Sequence, residues 1–310
     1  MALVSVVGAT GRQGLAQVRQ LLLAGHNVRA LSRSPDPYLG DTNADIEKRQ
    51  IDLYDPATYV AAFEGSDAVF YNHPLQARED RATMVAKIGL ASVEAGSKRF
   101  VWNTSSWIPD KPGESFTYAN NTIAINALWR AGVPATVFGS VLFMDNLLTH
   151  WARPFIMNES RYVYPHKPDL GSNWISLDDV GKIMIAAMDR PDFEGAWMNI
   201  GGPERILPPQ VAQILSRVFN REIKYDPCTP AEFGDLLVDA LGDSMPPENR
   251  AMFSAGICAF YEFNNNSPTK PFSVNFDYVQ ERLPEIEFET LEQWATRQDW
   301  SDSENRPAAG

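Results

Sequence analysis

The stretch Leu3–Gly14, LVSVVGATGRQG, decides the fold of this chain. It joins a short apolar run rich in β-branched residues, Leu3–Val7, to a glycine pattern of the form G-x-x-G-x-x-G. Apolar residues at helical spacing follow and stop at Gly25. This order predicts a buried strand, a tight turn and a helix whose end is marked by the glycine.

The three glycines of this pattern suit a loop that binds a pyrophosphate. One permits the tight turn, one lets the backbone approach the phosphates, and one allows close packing of helix on strand. The helix start adds free N–H groups and a partial positive charge. A turn with a purely structural role is the alternative. The residues expected to contact a dinucleotide here are Gly8, Thr10, Gly11, Arg12, Gln13 and Gly14.

The end of the second predicted strand indicates which dinucleotide binds. An acid at this position accepts from a ribose 2′-hydroxyl, whereas an arginine pairs with a 2′-phosphate. The chain carries Ser32, Arg33 and Ser34 there. Because a guanidinium binds a phosphate bidentately, these residues predict NADP(H) rather than NAD(H). Arg12 is expected to approach the same phosphate, and Asp36 is the one feature that favours NAD(H).

Further strands alternate with helices through the first half of the chain. The predicted strands are Leu3–Val7, Asn27–Ser32, Glu47–Ile51, Asp67–Tyr71, Arg99–Thr104 and Ala135–Ser140, and the later helices are Pro56–Phe63, Arg78–Ala95 and Tyr118–Ala131. Strands and helices that alternate over short turns form a parallel sheet with helices on both faces. We therefore predict an α/β fold with a Rossmann-type, doubly wound parallel sheet.

The regular alternation of strands and helices ends at about Ser140. Beyond it we expect a smaller α+β cap that closes a pocket over the strand ends. Residues 1–150 are predicted to form the nucleotide-binding domain and residues 151–310 the cap, with some cap segments returning to the first sheet. The predicted elements are a helical segment Met144–Phe155, a strand Tyr162–Tyr164, a helix Leu177–Met188, a strand Trp197–Ile200, a helix Pro209–Phe219 and a closing helix Leu291–Arg297. The remainder before the closing helix, rich in Pro, Asn and aromatic residues through Tyr261–Phe276, is expected to be irregular.

Composition and charge exclude several classes of function. The chain has 310 residues, a net charge of −12 and no run rich in Lys or Arg, which argues against nucleic-acid binding. Its apolar stretches are too short to span a membrane and no secretory signal is visible, so we expect a soluble, cytoplasmic protein. Cys228 and Cys258 are expected to be free thiols. No spacing of potential ligands suggests a metal site.

The sequence resembles the NmrA-like branch of the atypical short-chain dehydrogenase/reductase superfamily. The matching segments are VVGATGRQG from position 6, Arg33, IDLYDPATYVAAFEGSDAVF from 51, EAGSKRFVWNTSS from 94, LWRAGVPATVF from 128, FMDNL from 143, WISLDDVGKIMIAAM from 174 and MNIGGPERILPPQVAQILSRVFNREIKY from 198. The resemblance implies a Rossmann domain that binds NADP(H) and a smaller C-terminal domain that shapes a substrate pocket. The family includes both reductases and redox-sensing regulators that turn nothing over.

The chain departs from the catalytic pattern of its relatives. Active short-chain dehydrogenases carry Tyr-x-x-x-Lys, in which the lysine lowers the pKa of the tyrosine. Here the corresponding helix reads YANNT from Tyr118 to Thr122, so the lysine is absent. NmrA-like relatives often carry Lys-x-x-x-Glu, at positions that hold Asn121 and Ile125 in this chain, and their Arg-Pro after the sixth strand is Gly139-Ser140.

Three residues are candidates for the chemistry. Ser105 ends the fifth strand, where the superfamily places a substrate-binding hydroxyl. Tyr118 is a candidate proton donor, and His73 follows Asn72 at the end of the fourth strand, where nicotinamide is expected. The alternatives are an ordinary strand-end serine, a packed tyrosine and a structural histidine. Asp52, after the third strand, is expected to contact the adenine edge or to form a turn.

Aromatic residues suggest what the pocket accepts. Ser106, Trp107, Phe143, Met144 and Trp174 are expected to line it. If they do, a bulky, flat, apolar substrate such as a secondary metabolite is favoured over a sugar or a small acid, although large aromatic residues usually belong to the core. The absent Tyr-Lys pair favours acceptors that need little acid assistance, such as iminium-like carbons.

Three functions remain open at this point. The first is an NADP(H)-dependent oxidoreductase, the second a non-catalytic NADP sensor with a protein partner, and the third a redox-neutral cyclase or isomerase that keeps the dinucleotide bound.

Overall fold

The computed structural model describes residues 1–34, 46–74, 77, 79–111, 116–242 and 245–301. Its centre is a seven-stranded parallel sheet with the strand order β3-β2-β1-β4-β5-β6-β9. The strands are β1 Leu3–Val7, β2 Asn27–Ser32, β3 Glu47–Gln50, β4 Ala68–Asn72, β5 Arg99–Asn103, β6 Ala135–Ser140 and β9 Trp197–Ile200. The predicted Rossmann-type fold is confirmed, and the crossover beside β1 opens the crevice in which such sheets bind ligands.

Helices cover both faces of this sheet. One face packs against α1 Arg12–Leu23 and α6 Leu177–Met188, and the other against α2 Tyr59–Phe63, α3 Arg81–Glu94 and α4 Phe116–Arg130. The inner strands are buried on both sides, which explains why they read as continuous apolar runs in the sequence.

The rest of the second half forms a separate aromatic-rich core. Its elements are α5 Arg153–Glu159, β7 Arg161–Tyr164, β8 Ser172–Asn173, β10 Arg205–Ile206, α7 Pro208–Phe219, β11 Lys224–Pro227, α8 Pro230–Leu241, α9 Pro247–Asn266 and α11 Leu291–Arg297. A further helix, α10 Phe276–Arg282, packs instead on the main sheet layer. Strand β9 lies within the main sheet, beside β6. The division of the chain at residue 150 stays a prediction.

The expectation of irregular structure between α7 and α11 was wrong. Helix α8 begins with a capping box. The Thr229 hydroxyl accepts from the Glu232 N–H, and the Glu232 carboxylate accepts from the Thr229 N–H. Helix α9 carries proline in its first turn and runs for 20 residues. Its Asn-rich end stays helical because Tyr261 and Asn264 are buried there, and tertiary packing overrides weak helix propensity.

The expected helical segment over Met144–Phe155 is divided into two pieces. The chain forms a 3₁₀ turn over Met144–Leu148 and begins α5 only at Arg153. Pro154 stands in the first turn of α5, where its missing N–H costs no hydrogen bond.

Candidate functional site

The turn after β1 has the geometry that a dinucleotide requires. Gly8 adopts φ +74°, a conformation that side chains disfavour. A Cβ on Gly14 would lie 2.6 Å from the Ala9 Cα and closer still to the Gly8 carbonyl oxygen. Gly11 caps α1 without a side-chain hydrogen bond, and the first turn of α1 carries no acidic residue. No acidic or capping side chain therefore occupies the N-terminus of α1, the end of a helix that attracts anions. This arrangement fits a bound pyrophosphate.

The neighbouring residues predicted for the adenine end are placed as follows. Arg33 and Ser34 are exposed after β2, and the Ser32 hydroxyl donates to the Ser34 carbonyl oxygen over 2.6 Å. Arg12 donates to the Asp145 carbonyl oxygen over 3.0 Å, so its guanidinium reaches toward the 3₁₀ turn. The position of Asp36 lies outside the described residues.

Asp52 behaves as a turn residue in this structure. Its carboxylate accepts from the Tyr54 N–H over 2.9 Å, and the Asp52 carbonyl oxygen accepts from the Thr58 hydroxyl over 3.2 Å. The contact of Asp52 with an adenine edge stays a prediction.

A chain of polar side chains connects the first turn of α1 to the end of β5. The Gln13 amide donates to the Ser105 Oγ over 2.8 Å and accepts from the Asn103 amide over 2.8 Å. The Asn103 Oδ1 accepts from the Ser140 hydroxyl over 2.9 Å. Ser105 itself adopts φ +60°, a strained conformation that often accompanies functional positions. The structure thus joins Gln13 and Ser105, which the sequence proposes, to Asn103 and Ser140, which it did not.

Asn72 is held at the end of β4 by a reciprocal amide pair. Its Nδ2 donates to the Gln17 Oε1 over 2.8 Å and to the Val7 carbonyl oxygen over 2.9 Å, and its Oδ1 accepts from the Gln17 Nε2 over 2.9 Å. The sequence did not indicate a role for Gln17, because a glutamine within a helix is common and forms no recognisable motif. The pair fixes the end of β4 against α1, next to Gly8.

His73 is an uncharged imidazole at neutral pH. Burial and the nearby Arg81 guanidinium lower its pKa to about 3. Its Nδ1 lies 2.8 Å from the Tyr71 hydroxyl. In this state His73 can form hydrogen bonds at the strand ends but holds no proton to give as an imidazolium.

Tyr118 is packed among aromatic rings. Its ring centroid lies 5.3 Å from that of Trp107 and 5.5 Å from that of Phe260. Its hydroxyl donates to the Asn264 Oδ1 over 2.9 Å, and burial raises the pKa of the phenol well above its ordinary value. Its role as proton donor stays a prediction that this packing does not favour.

Ser106 belongs to a second cluster of polar side chains, beside the one that contains Ser105. Its Oγ accepts from the Asn121 Nδ2 over 2.9 Å, and the same amide donates to the Trp107 carbonyl oxygen over 3.0 Å. The Asn121 Oδ1 accepts from the Arg81 guanidinium. Arg81, at the start of α3, is a residue that the sequence interpretation missed.

The predicted pocket residues are distributed over two cores. Trp107 packs with Tyr118 next to the strand ends, whereas Met144 and Trp174 are buried in the cap core. Phe143 is partly buried against the main sheet core and pairs with Ile175 through an isolated bridge. Phe260 links the two regions, because its ring contacts Tyr118 on one side and Phe272 on the other, at 5.9 Å.

A separate apolar groove lies on the outer face of α3 and α4. It is lined by Ala82, Ile123, Asn126, Ala127, Arg130 and Ala131. None of these residues belongs to the polar clusters described above, so we do not assign the candidate chemistry to this groove. Among the described residues, no helix is long and apolar enough to cross a membrane, and no group of three potential metal ligands occurs.

Comparisons with known proteins agree with this architecture. The model of the NmrA-like family matches residues 1–295. The NAD(P)H azoreductase of Xenophilus azovorans is 27% identical over 252 residues, which cover 78% of this chain and 85% of the relative. The agroclavine dehydrogenase of Claviceps fusiformis is 26% identical over 245 residues, 75% of this chain and 81% of the relative.

Among solved structures, the triphenylmethane reductase of Citrobacter sp., complexed with NADP(H), superposes with a TM-score of 0.70 at 17% identity. The match covers 95% of this chain and 98% of that one. At this identity the superposition supports the fold.

Proposed function

Because this chain belongs to the NmrA-like family, we propose that it is an NADP(H)-dependent oxidoreductase acting on a bulky, flat, apolar small molecule. The observation that carries the proposal is the contact of Gln13 with Ser105. It joins the bare glycine turn, which suits the phosphates, to a hydroxyl at the strand ends, where chemistry takes place in open α/β sheets. Relatives named as an azoreductase and a dehydrogenase support redox chemistry.

The cofactor would be held by backbone and by one arginine. Gly8, Gly11 and Gly14 leave room for the pyrophosphate at the start of α1, and Arg33 would pair with the 2′-phosphate. Arg12 is not assigned to that phosphate, since it donates to the Asp145 carbonyl oxygen. When bound, NADPH supplies the hydride, and the protein supplies position and polarity.

Ser105 is the residue to which we assign polarisation of the substrate. Its Oγ already accepts a hydrogen bond from the Gln13 amide, which leaves its own O–H free to donate to a substrate atom. Asn103 orients Gln13, and Ser140 in turn orients Asn103. The uncharged His73 offers a further hydrogen bond at the end of β4. Trp107, beyond Ser106, would form an apolar wall.

The function is tested by mixing the purified protein with NADPH and a panel of neutral quinones, azo dyes and cyclic iminium salts. Loss of absorbance by NADPH together with a reduced product of matching mass supports the proposal. Product without net oxidation of NADPH would establish the redox-neutral isomerase instead. Tight NADP(H) binding with no product from the panel would favour the sensor, and no calorimetric heat with either NADPH or NADP⁺ would overturn the cofactor assignment as well.

The choice of cofactor has its own test in Arg33→Ala. Loss of a charge-assisted contact with the 2′-phosphate should weaken NADPH binding by about 1.5–3 kcal/mol. NADH lacks that phosphate, so its dissociation constant should change little. Isothermal titration of both nucleotides against the wild type and the variant measures the difference, and an equal loss for both contradicts the assignment.

A further inference from the structure

Arg81 is a cation in an unusual place. It is the first residue of α3, directly after the capping residue Asp80, so its charge opposes the positive end of the helix dipole. It is partly buried, and burial lowers the pKa of its guanidinium. Within the described part of the chain, no carboxylate lies at ion-pair distance from it, and its hydrogen-bond partner is the neutral Asn121 amide. A cation held without an ion pair against a helix dipole favours a functional role.

The surroundings of Arg81 place it beside the candidate active site. Asn121, which it contacts, donates to Ser106 just after the end of β5. The Arg81 charge also acts on His73, just after the end of β4, and opposes protonation of its imidazole. The other titratable groups that interact with Arg81 are Asp80 and Tyr71. Its positive charge therefore acts on the space between two strand ends where we place the substrate.

We propose that Arg81 stabilises negative charge that develops on the substrate, and that the substrate is a neutral acceptor such as a quinone, an activated carbonyl or an azo compound. A preorganised cation at the position of developing negative charge is worth far more in a water-poor site than in water. The same charge repels an iminium or another cationic acceptor. This inference rests on the proposed oxidoreductase function and reverses the preference for iminium-like carbons that the sequence suggests.

The reaction balances without a further reactant. A neutral quinone, carbonyl or azo compound that takes a hydride from NADPH gains two electrons and one hydrogen nucleus, and the π pair of its C=O or N=N bond moves onto oxygen or onto the second nitrogen. That atom carries a negative charge beside Arg81 until it takes a proton from water, which gives the hydroquinone, the alcohol or the hydrazine, while NADPH becomes NADP⁺. An iminium carbon that takes the same hydride becomes a neutral amine, so no anion forms for Arg81 to stabilise.

The first experiment measures charge preference without turnover. Naphthalene carboxylate and its neutral carboxamide are titrated into the NADP⁺-loaded protein, with tryptophan fluorescence as the readout, for the wild type, Arg81→Gln and Arg81→Lys. We expect Arg81→Gln to weaken binding of the carboxylate about tenfold or more and to leave binding of the carboxamide nearly unchanged. Arg81→Lys should recover part of the lost affinity. Arg130→Gln, which removes an exposed arginine from α4, is the matched control and should change neither.

The second experiment measures acceptor preference in catalysis. For menadione as the neutral acceptor, kcat/KM should fall about 10- to 100-fold in Arg81→Gln and recover in part in Arg81→Lys. For an N-methyl dihydroisoquinolinium salt, kcat/KM of Arg81→Gln should rise or stay constant. Equal loss for both acceptors, or equal loss for both naphthalene ligands, would show that Arg81 is merely structural. Absence of NADPH oxidation by the wild type with any acceptor overturns the proposed function instead, and the fluorescence titration still decides the role of Arg81.

Discussion

Gly14 is the residue at which the fold and the proposed cofactor site depend on the same missing atom. It lies inside α1, where glycine is normally unfavourable relative to alanine. It is nevertheless required, because the backbone of Gly8 and Ala9 passes where its Cβ would stand. The close approach that brings the start of α1 onto the end of β1 also places the helix amides where we propose that the pyrophosphate binds.

Gly14→Ala tests this dependence. The added methyl group meets backbone atoms, which cannot rotate away, so we expect a loss of about 1–3 kcal/mol in stability. The displaced helix start should also weaken NADPH binding at least tenfold. Thermal unfolding and calorimetric titration measure the two effects.

Gly256→Ala is the matched control for that variant. No atom lies within 4 Å of a Cβ built on Gly256, which stands within α9. Alanine there should leave NADPH binding unchanged and should keep or raise the melting temperature. Normal NADPH affinity in Gly14→Ala would contradict the role assigned to the glycine turn.

Single residues at strand ends were predictable, but their partners were not. Ser105 and His73 follow apolar strands, and the parallel fold brings such positions to one edge. Nothing in the sequence indicates that Gln13 contacts Ser105, 92 positions away, or that Arg81 contacts Asn121, 40 positions away. These pairings arise from how helices pack on the sheet, and this information is not local.

At the scale of elements, Asp178 connects three helices. It lies in the first turn of α6, where a negative charge interacts favourably with the helix dipole. In the structure it also accepts from Arg19 and Gln20 of α1 and from Arg297 of α11. Burial raises the pKa of the Asp178 carboxyl, but the two arginines and the hydrogen bond from Gln20 together hold that pKa below its ordinary value. Helix α11 is thereby attached to α1, the helix that follows the glycine turn.

Asp178→Asn should therefore destabilise the protein. The carboxylate is nearly buried, whereas Arg19 and Arg297 are about half exposed and can be solvated when it is gone. We expect a loss of about 1–3 kcal/mol, below the cost of leaving a fully buried charge unpaired. Urea unfolding at pH 7 measures it.

Asp192→Asn is a suitable comparison for Asp178→Asn. Asp192 also pairs with two arginines, Arg190 and Arg282, but it is exposed. Exposed pairs contribute little because solvent screens them, so this substitution should change the free energy of unfolding much less than Asp178→Asn does. An equal effect of the two substitutions would argue against Asp178 as the connection between the three helices.

The elements themselves were predicted well where the pattern is local. The bounds of β1, β2, β6 and α6 match the structure because apolar periodicity, glycine stops and a serine cap mark them. Helices α8 and α9 were missed although the capping box at Thr229 and the proline in the first turn of α9 were readable. Asparagine and aromatic residues in α9 suggested a loop, and only burial against the cap core explains the helix.

At the scale of the whole molecule, two uncharged histidines make folding sensitive to acid. Besides His73, His166 is buried in the cap, with its ring centroid 4.6 Å from that of Tyr164 and 5.1 Å from that of Phe272. Its Nε2 has no hydrogen-bond partner among the described residues. Burial lowers the pKa of His166 to about 3.

The sign of the pH effect follows from these shifts. The unfolded chain protonates a histidine near pH 6.5, whereas the folded chain resists protonation until about pH 3. Between these values the unfolded state binds more protons, so stability falls as the pH falls. Each such histidine contributes up to about 1.4 kcal/mol per pH unit. The raised pKa values of the buried Asp145 and Asp179 act in the opposite direction.

His166→Phe separates the histidine contribution from the carboxyl one, because Asp145 and Asp179 are the same in both proteins. Phenylalanine suits the aromatic cage and removes the unpartnered nitrogen, so stability at pH 7 should be kept or raised. Between pH 7 and pH 5 the wild type should lose about 2 kcal/mol more than the variant. Urea unfolding at the two pH values measures this difference. If His166→Phe keeps the wild-type slope, the folded protein protonates His166, and the cap core must admit water to the imidazole.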